Sequence, residues 1–144
     1  MIRYFALLAI FFVHPLFALI DNISISGNPG AMNISTATAG SQPDSVTDTS
    51  TTYSIETGLL SNRITGQLDA NMPANVTLTL QLQAPTGATS QGAVSLSTTP
   101  NNLVTNLPVL LLLTPNLQMT YTLSATVSAT QAAAQNVTLT LTLL

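Results

Sequence analysis

Val76-Thr77-Leu78-Thr79-Leu80-Gln81-Leu82-Gln83 alternates aliphatic and neutral polar side chains without a break. Successive side chains of an extended chain point to opposite faces, so a period of two spells a strand with one buried and one solvated face. Thr and Val also favour the pleated conformation. The pattern returns at 119–129, where Met119, Tyr121, Leu123, Ala125, Val127 and Ala129 alternate with Thr and Ser. It returns again at 137–143, where Val137, Leu139, Leu141 and Leu143 alternate with Thr.

Working outward, weaker strands fit at 23–26, 32–38, 52–57, 63–68 and 93–97. Turn signals separate them: Asn28-Pro29-Gly30, Asn71-Met72-Pro73, Pro85-Thr86-Gly87 and Pro100-Asn101-Asn102. No long helical period appears, and 130–135 (Thr-Gln-Ala-Ala-Ala-Gln) reads as a loop between the last two strands. About seven to eight short antiparallel strands at this spacing predict an all-β chain folded as an immunoglobulin-like β-sandwich. The Cys…Trp…Cys signature of that class is absent, since the chain has neither residue. The apolar run from Val109 to Leu113, closed by Pro108 and Pro115, reads as a buried core strand or crossover; exposed, it would mark an interaction site.

The N-terminus predicts a secretory leader over 1–18. Met1-Ile2-Arg3 is a short positive segment, 4–13 is continuously apolar, and Ala18 supplies a small residue for cleavage. Ser41 to Ser54 is rich in Ser, Thr and Asp and reads as a loop or linker. The expected organisation is therefore a leader at 1–18, an extended segment and linker at 19–50, and a sandwich body at 51–144.

Charge restricts function more than any motif does. Only 5% of the residues are charged, against about 25% in an average soluble protein. No Asp, Glu, Lys, Arg or His follows Asp69. Once the leader is removed, Arg63 is the one side-chain cation left against five acids: Asp21, Asp44, Asp48, Glu56 and Asp69. General acid–base and nucleophilic chemistry lack their parts, because no His or Lys remains to activate a Ser. Zinc sites built on His or Cys are excluded by composition. Asp44, Asp48 and Glu56 do not reach the six to eight oxygens a calcium site wants and read as solvated acids. A surface so poor in cations cannot neutralise phosphates, which argues against nucleic acid as a partner. The expectation is no enzyme activity, no catalytic residue, no metal and no cofactor. Arg63 is expected to pair with Glu56 or Asp69. Four Asn-x-Ser/Thr triplets, at Asn22, Asn33, Asn75 and Asn136, fall within what chance gives so Asn-, Ser- and Thr-rich a chain.

Two segments point to assembly. The N-terminal segment carries its own alternation at Ile23 and Ile25 and is a candidate donor strand. Strands 76–83 and 136–144 contain no charge, Pro or Gly, the devices that normally protect a sheet edge. Val137, Leu139, Leu141 and Leu143 are the candidate edge or assembly strand. An extended arm can add to a neighbour's sheet edge, with main-chain hydrogen bonds giving affinity and alternate side chains filling pockets. In general architecture this resembles pilus-type subunits of bacteria, although no pilus-subunit motif aligns. The expected function is an exported structural or adhesive surface protein, fimbria-like, in the periplasm, at the cell surface or outside the cell. Its expected partner is itself or another surface protein, with membrane contact only through the leader. The alternatives are a monomeric secreted binding module or a small outer-membrane β-barrel, the latter disfavoured by scarce aromatics and no Trp.

Overall fold

Ten strands build the fold: β1 (Asn22–Ser26), β2 (Val46–Asp48), β3 (Thr52–Glu56), β4 (Ser61–Leu68), β5 (Val76–Leu82), β6 (Thr89–Ser90), β7 (Val94–Ser95), β8 (Asn101–Thr105), β9 (Thr114–Ala125) and β10 (Val137–Leu143). The computed structural model describes residues 21–58, 61–129 and 136–143. The expected leader at 1–18 and loop at 130–135 lie outside them. Among the described residues there is no helix.

The strands form two antiparallel sheets. One has the order β1-β3-β9-β5-β7, with β2 also against β9; the other has the order β10-β4-β8-β6. β9 organises the first sheet. Along one side it pairs β5 from Val76↔Ala125 to Leu82↔Met119. Along the other it pairs β3 near its start and β2 near its end. Both sheets feed one core. Tyr53, Ile55, Leu80, Leu82 and Met119 of the first sheet meet Ile64, Leu68, Leu103 and Val104 of the second, all essentially without solvent exposure. Sheets that bury one face each against the other are the sandwich arrangement.

Gly66 sets the closeness of that packing. A Cβ there would lie 2.6 Å from Leu103 Cδ1 and 3.4 Å from Leu96 Cδ2. The space a side chain would fill on β4 is taken by leucines from β8 and the β7–β8 connection, a common reason for a glycine inside a strand.

Several readings need correction. Residues 32–38 form no strand; they make one isolated bridge, Ala37↔Pro43, and a turn in which Ser41 N donates to Thr38 O. Gly40 supplies the positive φ of 84° that this turn needs. The Ser/Thr/Asp-rich stretch is not all connection, because Val46–Asp48 pairs with β9. β8 has no period-two spelling because of a bulge. Opposite β4 the register jumps from Ile64↔Val104 to Thr65↔Asn102. Leu103 is thus left without a partner on β4, and it and Val104 are buried side by side. The run 109–113 is not a core strand. It is a loop between β8 and β9 in which Leu111 packs against the core and Val109, Leu110, Leu112 and Leu113 are exposed.

Candidate interaction surface

Among the described residues, the two segments expected to mediate assembly both lie on sheet edges. β1 is the outer strand of one sheet and β10 of the other, and the two approach each other along one side of the molecule. β1 is seated on its own chain's β3, in register from Asn22↔Glu56 to Ser26↔Thr52. Ile23 is half-buried and packs against the core, whereas Ile25 is exposed. β10 runs antiparallel to β4 with Val137 opposite Leu68, Leu139 opposite Gly66, Leu141 opposite Ile64 and Leu143 opposite Ser61. Its register holds until Thr142. By contrast β5, the other strand singled out for its lack of charge, Pro and Gly, is interior, between β9 and β7. A cleft of about 350 Å³ lies between the β1 end and the start of β10, lined by Ile25, Asn28, Thr51, Tyr121, Asn136 and Val137.

The start of β10 is fixed by Asp69. Its carboxylate accepts from Asn136 N at 3.1 Å and from Asn136 Nδ2 at 2.8 Å. These bonds hold the Asp69 carboxyl below its ordinary value. Asp69 therefore orders β10 rather than serving Arg63, whose buried Nε finds no hydrogen-bond partner among the described residues. Asp48 is likewise occupied. It accepts from the Ser50 hydroxyl at 2.8 Å, Ser50 N at 3.0 Å and Gly30 N at 3.1 Å, and these donors hold its carboxyl below the ordinary value in the same way. Among the described residues no group of three or more His, Cys, Asp or Glu is placed to hold a metal.

The third feature is the loop after β8. Val109, Leu110, Leu112 and Leu113 are 60%, 48%, 76% and 59% exposed. Four aliphatic side chains on one loop run against burial energetics unless something covers them. The loop is held in place. Thr57, itself fully buried, donates its hydroxyl to Pro108 O at 2.8 Å and accepts from Leu111 N at 3.2 Å. Thr57 N donates to Leu111 O and Leu110 N to Gly58 O. Leu110 adopts a left-handed φ of 57°, a conformation uncommon outside Gly and Asn that persists only when its surroundings impose it. Sequence alone did not give the exposure, since a short apolar run between prolines fits inside and outside equally well.

Titration follows from burial. Burial raises the phenols of Tyr53 and Tyr121 above their ordinary value, with Asp48 adding to the effect at Tyr121. A phenol harder to ionise folded than unfolded contributes stability that is complete below about pH 10 and lost as pH rises through the raised value. Asp48 and Asp69, both lowered, contribute stability present above about pH 4 and lost as pH falls through their folded values. The thermal midpoint is expected to be flat from about pH 6 to 9 and to fall above about pH 10. A midpoint scan that instead steps inside the flat window would contradict this assignment.

Comparison with protein-family models, with curated proteins and with solved structures finds no match. Function is therefore argued from these surfaces.

Proposed function

We propose that this chain is an exported, non-enzymatic structural or adhesive subunit, immunoglobulin-like in its sandwich, that joins its neighbours by β-strand addition. One observation carries the reading: β10 is a seven-residue outer strand with no charged residue, Pro or Gly. Natural edges are usually blunted by such residues, and an edge without them is a template for another chain. β1 supplies a short alternating strand near the chain's start that could exchange between subunits, as in donor-strand complementation. The filled core between two sheets supports this reading over a barrel with a lumen.

The test is association of residues 19–144 by sedimentation velocity and negative-stain imaging. Wild type is expected to form oligomers or filaments, with little dependence on salt because so few charges are there to screen. Thr138 and Thr140 are exposed on β10. The double variant Thr138→Lys/Thr140→Lys is expected to stay monomeric with an unchanged thermal midpoint. A disulfide between Ser24→Cys and Ser54→Cys, register partners on β1 and β3, locks β1 at home and separates donation of β1 from pairing at β10. A wild-type monomer at all concentrations would replace the proposal with a secreted binding module.

A further inference from the structure

The cleft between the end of β1 and the start of β10 meets the core where its side chains change character. The buried rows Ile55-Tyr53-Thr51, running back out of β3, and Leu117-Met119-Tyr121, along β9, lie side by side, with Met119 N donating to Thr51 O at 3.0 Å. Each row reaches a hydroxyl-bearing residue at the cleft, and these two, Thr51 and Tyr121, line it. Thr51 has no solvent exposure, yet its Oγ1 has no hydrogen-bond partner among the described residues. Buried hydroxyls in folded proteins are nearly always satisfied, and one left alone is destabilising. Asn28 and Asn136 add their amides to the same cleft, and Ile25 and Val137 give it an aliphatic wall.

We propose that this cleft binds a single neutral sugar residue, and that the Thr51 hydroxyl finds its hydrogen-bond partner on that ligand. The inference does not rest on strand addition.

Size, charge and hydrogen bonding select that class. The volume of about 350 Å³ lies at the small end of ligand sites, which suits one ring. None of the lining residues is charged. The charges next to them are negative: Asp48 is the register partner of Tyr121, and Asp69 holds Asn136. An anionic ligand is therefore repelled. An ammonium group finds both carboxylates already taken by the donors of Gly30, Ser50 and Asn136. An apolar ligand leaves the Thr51 hydroxyl as unpaired as before. A sugar hydroxyl both donates and accepts, as does the threonine it meets. The Asn136 Nδ2 is given to Asp69, which leaves Oδ1 as an acceptor. The C–H face of a sugar ring matches the wall of Ile25 and Val137. So few contacts set a weak affinity, with a Kd on the order of 1 mM.

The test is a titration of the whole, nitrogen-15-labelled chain, read from its amide NMR signals. The probes are the methyl glycosides of glucose, galactose, mannose and N-acetylglucosamine, with methyl glucuronide as the charged control. At least one neutral glycoside is expected to shift the Thr51 and Tyr121 amides saturably, and the glucuronide to leave them in place. Thr51→Val keeps the shape of the side chain and removes the hydroxyl. It is expected to weaken that glycoside about tenfold while the thermal midpoint holds or rises. Thr77→Val, exposed on β5, is the control and should bind as wild type does. Methyl glycosides stand for the terminal sugar of a glycan and the parent reducing sugars for a free one, so the tighter of the two names the source. No saturable shift with any neutral glycoside overturns the proposal, as does equal binding by Thr51→Val or by the glucuronide; water is then the partner of Thr51. If the glycosides do nothing and the same signals move with protein concentration, the proposal is overturned and the cleft belongs to a second copy of the chain.

Discussion

Replacing Tyr53 by Ala is expected to lower the unfolding free energy by about 3–5 kcal/mol, the cost of deleting a large buried aromatic ring. Tyr53 has no solvent exposure and sits on β3 between its partners on β1 and β9, Ile25 and Leu117. Its ring belongs to the core shared by both sheets. Its hydroxyl donates to Gln83 O just beyond the end of β5. The substitution thus opens a cavity and cuts a tie from β3 to the segment after β5. Total stabilities of small domains run about 5–15 kcal/mol, so the loss approaches the threshold of folding. Tyr53→Phe keeps the ring and removes the hydroxyl alone, at about 1 kcal/mol. Equilibrium urea unfolding separates the two: the midpoint should fall slightly for Phe and several-fold further for Ala, with similar slopes. Equal, small effects would mean that the ring is not where the sheets meet.

How much of this was legible in the sequence follows from what each strand touches. β5 could be read directly because it carries the period of two that a strand with one core face and one solvent face writes into its residues, and β10 carries the same period in its sequence. β8 could not, since its bulge buries Leu103 and Val104 together. β6 and β7 span two residues each, too few to show a period. β2 hides in a Ser/Thr/Asp-rich stretch because its pairing with β9 is mostly main-chain, with Thr47 and Thr122 hydroxyls 3.3 Å apart as its side-chain contact. Of the candidate surfaces, the lack of charge on β10 was plain from composition, but its position on an edge is a property of topology. The loop at 109–113 was visible only as an apolar run. What turns it outward is long-range: the partners that hold it, Thr57 and Gly58, lie about fifty residues away in the chain.

That dependence makes Thr57 the second position of large effect. Thr57→Val preserves shape and removes the hydroxyl that serves both Pro108 O and Leu111 N. A buried polar group left without a partner costs about 1–3 kcal/mol, so two of them set an expected loss of roughly 2–6 kcal/mol if the loop stays in place. The loop borders solvent and has another course. It can swing out, satisfy those groups with water and release Leu110 from its left-handed backbone. Hydrogen exchange distinguishes the two, because swinging out accelerates exchange at the Leu110 and Leu111 amides while the β8 amides follow global stability alone. Thr57→Ser retains the hydroxyl and should leave both loop amides protected. The contrast lies at Thr51, equally buried, whose hydroxyl has no partner among the described residues. There Thr51→Val removes an unsatisfied group rather than creating two, and the urea midpoint should hold or rise. If both valine variants behaved alike, the loop would be held by its prolines rather than by Thr57, and its aliphatic side chains would be presented to the outside by chain stiffness alone.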